Sequence, residues 1–214
     1  MKIMKPINWK LCFIADSATA GNRNLIPLIN EAVQAGVTII QLRGKKLKTH
    51  TFLKTAIESS HLLASRNIPL IINDRIDIAL ASNADGVHLG QEDMPLFYAR
   101  KILGEEKLIG ISVNTEEEAM KAEAGGADYL GVGPIFFTPS KENLRPILGI
   151  AGLKAIREKV KIPILAIGGI KAKNAQEVMA SGADGIAVIS AILGTKNIRK
   201  ATEKLLNSIC GKNQ

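Results

Sequence analysis

Gly125-Gly126-Ala127-Asp128-Tyr129-Leu130-Gly131-Val132 carries the chain out of a helical stretch, through four small or turn-forming residues, and into a short apolar run. Glycine lets a helix end in the left-handed conformation and turn tightly. The run that follows is continuously apolar rather than alternating, as expected of a parallel strand covered on both faces. The same phrase recurs as Ala35-Gly36-Val37, Asn83-Ala84-Asp85-Gly86 and Ser181-Gly182-Ala183-Asp184-Gly185. Each copy lies between an amphipathic segment and an apolar run, so these turns are read as stability features of one face of the fold.

Working outward, the apolar runs fall at 11–15, 37–42, 69–73, 86–89, 108–113, 129–132, 164–167 and 185–189. Helical periodicity fills the spaces between them. Leu25, Leu28, Ile29, Ala32 and Val33 share one side of a helix predicted over 25–35, and Phe52, Ala56, Leu62 and Leu63 share one over 51–65. Thr115 is placed to cap a helix whose first turn carries Glu116, Glu117 and Glu118, which suit the positive end of the helix dipole. A further short helix over 174–181 ends at Gly182. Eight strand–helix units without a linker predict an α/β fold with one domain over residues 1–214, a (β/α)8 or TIM barrel. A doubly wound open sheet is the second option, and the number of units favours closure.

The 214 residues are 46% hydrophobic and 22% charged, enough for a core that folds without disulfides. Cys12 and Cys210 lie near opposite ends with no metal-like spacing, and read as free thiols of a reducing compartment. No apolar stretch reaches the ~18 residues of a membrane span, and the 11–15 run is too short for a signal-peptide core. A cytoplasmic location is expected. The net charge of +8 suits small polyanionic substrates. It does not point to nucleic acid, because basic residues are dense only at Arg43, Lys45, Lys46 and Lys48, and aromatic platforms are scarce.

Polar residues without a packing role follow the strands, where barrel active sites are built. After the second run stand Gln41, Arg43 and Lys45, two cations and an amide suited to a pyrophosphate. Asn73, Asp74 and Arg75 follow the third run, and His88 to Asp93 the fourth. Asp74 and Asp93 thus come from adjacent strand ends. Two carboxylates with room for water and phosphate oxygens suit Mg2+ better than Zn2+. The plainer readings are helix caps for Asp74 and Asp93, a core imidazole with one hydrogen bond for His88, and a solvated basic loop for Arg43 to Lys48. The segment from Gly131 to Lys141 is read as a lid or substrate cradle, for otherwise exposed Phe136 and Phe137 are unexplained. Gly168-Gly169 after the seventh run and Ile189-Ser190 after the eighth suit a backbone-built phosphate site.

Five motifs in this order resemble the thiamine phosphate synthase family: Gln41-Leu42-Arg43-Gly44-Lys45, Asn73-Asp74-Arg75, His88 to Asp93, Gly133 to Lys141, and Ile167 to Ile170. The resemblance runs from about Leu11 to Ser190. It implies a transferase that joins hydroxymethylpyrimidine pyrophosphate to a thiazole phosphate, with one Mg2+ per active site. By position it implies that Arg43, Lys45, Asn73 and Lys141 hold the pyrophosphate with help from Ser112, and that Asp74 and Asp93 bind the metal. It places Gln41 and His88 near the pyrimidine, and Thr138, Ser140, Gly168, Ile189 and Ser190 at the thiazole phosphate. Arg43, Lys45, Ser112 and Lys141 are the candidate catalytic groups. Two departures from the family pattern stand out. Phe137 replaces a proline and Ser140 a threonine in the lid motif. A homo-oligomer is compatible with this reading. The rival readings are a TenI-type thiazole tautomerase, which would need a lid histidine absent here, and a non-catalytic phosphate-ligand sensor, which would not need the carboxylate pair. Other phosphate-binding barrels would share only the Gly168-Gly169 signal.

Overall fold

A computed structural model describes residues 6–138 and 145–211. In chain order its elements are β1 (Leu11–Asp16), α1 (Ser17–Ala20), α2 (Leu25–Gln34), β2 (Ile39–Arg43), α3 (Thr49–Ala64), β3 (Leu70–Asn73), α4 (Ile76–Ala81), β4 (Gly86–Leu89) and α5 (Leu96–Leu103). Then follow β5 (Leu108–Val113), α6 (Glu116–Ala124), β6 (Tyr129–Val132), α7 (Gly149–Lys159), β7 (Ile164–Ile167), α8 (Ala172–Ala180), β8 (Gly185–Val188), α9 (Ser190–Leu193) and α10 (Ile198–Ile209). The eight strands are parallel and close in sequence order, β8 pairing with β1. The open-sheet alternative is therefore excluded.

All eight predicted runs became strands, with ends moved by a residue or two. The second strand begins at Ile39 rather than 37, because Val37 and Thr38 complete the turn out of α2. Strand residues are buried on both faces, which is why their sequence does not alternate. Thr115 caps α6 as expected, its Oγ1 accepting from the Glu118 N–H at 3.1 Å.

The recurring turn phrase has a second role that small residues alone do not explain. The Leu70 N–H donates to Asp85 Oδ2 at 2.8 Å, the Ile109 N–H to Asp128 Oδ2 at 2.7 Å, and the Ile164 N–H to Asp184 Oδ2 at 2.8 Å. Thr38 does the same in the first unit, its Oγ1 accepting from the Leu11 N–H at 3.0 Å. In every case the backbone N–H of the clasping residue returns to the carbonyl of the residue it clasps. Each polar side chain thus ties the start of an odd-numbered strand to the residue just before the next even-numbered one. Replacing Asp128 with alanine removes the side-chain acceptor of the Ile109 N–H and the ion pair with Arg100 at 2.6 Å, leaving the guanidinium only its backbone carbonyl acceptors. The expected loss is roughly 1–2 kcal/mol, read from the urea midpoint, with turnover unchanged.

Candidate active site

The strand C-termini open into a cavity of about 380 Å³. One side of its rim carries Lys45, Glu92 and Asp93; the other carries Gly168, Gly169, Ile189 and Ser190. The two anion places expected from sequence therefore lie across one mouth. A smaller inner pocket sits beneath, lined by Gln41, Arg43, Asn73, His88, Ser112 and Tyr129 among others. Ser112, Gly131, Ile167, Ala187 and Ile189 line both and form the boundary between them.

Arg43 ends β2 and is only 13% exposed at its side chain. Its Nη1 donates to Asp16 Oδ1 at 2.7 Å. Asp16 ends β1, is 2% exposed, and also accepts from the Thr19 N–H at 3.0 Å and the Thr19 hydroxyl at 2.7 Å. A buried guanidinium is thus held in one direction by a buried carboxylate. Lys45 stands past the strand end and remains half exposed, its Nζ 3.3 Å from Asp74 Oδ2.

Asp74 adopts φ +65°, a left-handed conformation uncommon outside glycine. It does not cap a helix, since α4 starts at Ile76 and its N-cap position is Arg75, with no side-chain cap. Its carboxyl is pushed up in pKa, first by burial and then by a hydrogen bond and charge repulsion from Asp93, with Lys45 offsetting part of this. Asp93 is not a helix cap either. Its Oδ2 accepts from the Gly90 N–H at 2.7 Å, which folds the β4–α5 loop back toward Asp74. Two carboxyls from adjacent strands are pressed together beside one lysine.

Asn73 is buried, and its Nδ2 has no hydrogen-bond partner among the described residues. A buried amide donor without an acceptor is costly unless a ligand supplies one. His88 has two ring partners rather than the one expected: Nδ1 lies 3.0 Å from the Tyr129 hydroxyl and Nε2 2.9 Å from Ser112 Oγ. Gln41 lines the same inner pocket as Tyr129.

Across the mouth, Gly168 and Gly169 take φ +101° and +65°. The sequence reading gave these glycines the task of letting backbone approach an anion. The space a side chain would need is taken by the loop after β6: a Cβ at 168 would lie 2.6 Å from Pro134 Cβ, and one at 169 would lie 2.6 Å from the Phe137 carbonyl oxygen. The Ile135 and Phe136 N–H groups donate to the carbonyls of Ile167 and Gly168 at 2.9 and 3.0 Å. The lid base is therefore laced to β7. Thr138 lines the mouth, Phe136 is packed against the core, and Phe137 is 69% exposed. Ser140 and Lys141 lie outside the described residues.

The thiamine monophosphate synthase family model matches residues 11–192. The chain belongs to that family. The thiamine-phosphate synthase of Clostridium novyi (strain NT) is 50% identical over 201 residues, covering 94% of this chain and 98% of its own. That of Chloroflexus aurantiacus is 44% identical over 205 residues, covering 96% and 94%. Among solved structures, thiamine phosphate pyrophosphorylase from Pyrococcus furiosus superposes with a TM-score of 0.87 at 40% identity, covering 97% of this chain and 98% of its own. Membership bears out the resemblance drawn from the five motifs and disfavours the tautomerase and sensor readings.

Three side chains of this thiamine monophosphate synthase family member escaped the sequence reading. Asp16 stands directly after the first apolar run and was given no role there. Tyr129 was counted as a strand residue. Arg145, which lines the mouth and forms a two-pronged ion pair with Glu118, lies beyond the lid motif. Only a polar residue at an apolar strand end hinted at Asp16; nothing marked the other two. Cys12 and Cys210 are unpaired, as expected, and burial pushes the Cys12 thiol up to about 12. No helix among the described residues is long and apolar enough to cross a membrane.

Proposed function

We propose that this family enzyme, a transferase, couples hydroxymethylpyrimidine pyrophosphate to thiazole phosphate at the barrel mouth, releasing pyrophosphate and giving thiamine phosphate. The observation that carries the site assignment is the pairing of Asp74 with Asp93 beside Lys45, above an inner pocket that holds Arg43 and an unpartnered Asn73 amide. Family membership supports the pyrimidine and thiazole substrates.

The carboxylate pair fits Mg2+. Two acids in contact, one of them with a raised pKa, favour a cation between them. Among the described residues no cluster of three or more His, Cys, Asp or Glu forms a closed metal cage. Mg2+ is ordinarily held by one or two carboxylates plus water and substrate phosphate, so a two-acid site suffices. When bound there, it supplies charge neutralisation to the pyrophosphate.

The chain's own residues do the rest by position and charge. Arg43, Lys45 and Lys141 attract the pyrophosphate, and Asn73 Nδ2 and the Ser112 hydroxyl add donors. Gln41 and His88 flank the pyrimidine end. Thr138 and Ser140, with backbone at Gly168, Ile189 and Ser190, hold the thiazole phosphate. Departure of pyrophosphate leaves positive charge on the pyrimidine methylene, spread into the aminopyrimidine ring. The thiazole nitrogen then forms the new C–N bond at that carbon. No side-chain nucleophile is needed.

The test is product formation. Purified protein is mixed with both substrates and Mg2+, and thiamine phosphate is read as a fluorescent oxidation product after phosphatase treatment. Product is expected with Mg2+ and is expected to fall to background with EDTA. Folded protein that yields no product would overturn the coupling reaction, and undiminished product with EDTA would overturn the metal.

A further inference from the structure

Beneath Ser112 a line of hydrogen bonds crosses three strands, Tyr129 on β6, His88 on β4 and Ser112 on β5, and Gln41 of β2 lines the same inner pocket. Two glycines clear its path. A Cβ at Gly110, which stands opposite both His88 and Tyr129 in the strand register, would lie 2.0 Å from Tyr129 Cζ. A Cβ at Gly131 would lie 2.7 Å from His88 Cε1. The barrel interior is therefore shaped around these two rings, and Tyr129 is 1% exposed and His88 8%.

The line can run in two directions. If His88 carries its proton on Nδ1, it donates to Tyr129, and Ser112 spends its own proton on Nε2. The serine then turns only lone pairs to the pocket. If the proton is on Nε2, His88 donates to Ser112 Oγ and the Tyr129 O–H donates to Nδ1. The serine O–H is then free to point outward. A pyrophosphate offers acceptors only, so the second direction is the one that serves it. Burial keeps the Tyr129 hydroxyl protonated, so it has a proton to give to Nδ1.

We propose that Tyr129 is a positioning residue, whose hydroxyl fixes His88 as the Nε2–H tautomer and so presents Ser112 as a hydrogen-bond donor to the departing pyrophosphate. Both the choice of tautomer and the role of Ser112 rest on the coupling reaction proposed above, but the tautomer is read without any turnover. The test uses the intact protein labelled with 15N-histidine, with His50→Gln and His61→Gln variants to assign His88. One Nε2–H form is expected for His88, and a mixture of tautomers in Tyr129→Phe, which keeps the ring. Thermal melting checks that this variant is folded. Its kcat is expected to fall about tenfold with little change in KM, and adding Tyr129→Phe to Ser112→Ala is expected to cost nothing further. An Nδ1–H form in the parent protein, an unchanged tautomer in Tyr129→Phe, or losses that simply add would overturn the proposal. Absence of product from the parent protein with the Nε2–H form present would count against the coupling reaction instead.

Discussion

Asp93→Ala is expected to lower kcat/KM for coupling by roughly 10²–10³-fold in the presence of Mg2+, while the protein stays folded. Asp93 is one of the two carboxyls proposed to hold Mg2+, and its Oδ2 also holds the Gly90 N–H at 2.7 Å. Truncation removes the charge and loosens the β4–α5 loop that carries it. Far-ultraviolet circular dichroism separates lost folding from lost chemistry. Raising Mg2+ into the tens of millimolar is expected to restore part of the rate, since Asp74 remains. A variant that keeps parental rate and Mg2+ dependence would remove Asp93 from the site.

The second large effect falls on stability. Asp16→Ala leaves the Arg43 guanidinium buried without its partner and strips two further hydrogen bonds from Thr19. Breaking a buried pair from one side costs about 3–5 kcal/mol, most of it from the stranded charge. The loss is read from chemical denaturation. Because the orphan is a cation in the inner pocket, inorganic pyrophosphate is expected to raise the melting temperature of Asp16→Ala more than that of the parent. Equal shifts would mean that Arg43 does not meet the anion.

Barrel and mouth were legible in the sequence for different reasons. The strands announced themselves because burial on both faces forces unbroken apolar runs, and the closed order followed from their number. Arg43, Lys45, Asp74 and Asp93 stood out as candidates because polar residues just past strand ends have no packing role, whereas Ser112 was named only through the family resemblance. What stayed hidden is pairing across the barrel. Asp16 meets Arg43 27 residues away and Tyr129 meets His88 41 residues away. Nothing local distinguishes Tyr129 from any aromatic strand residue, or Gly110 from a weak strand position. The glycines after β7 were noticed for their conformation, but their crowding against Pro134 and Phe137 could be seen only once the lid was in place.

The four side-chain clasps at the barrel floor also bear on how the chain finds its shape. They join residues separated by only 27, 15, 19 and 20 positions. Each closes within its own strand–helix–strand quarter and makes no demand on the others. A quarter can therefore gain structure while the rest of the chain is still searching, which favours rapid folding over one that must await distant contacts. It also marks where the chain can be recut. New termini placed between quarters, after β2, β4 or β6, leave every clasp intact, whereas termini inside a quarter separate its two halves. The floor is thus divided into modules, while the mouth above it works only when strands from all of them have arrived.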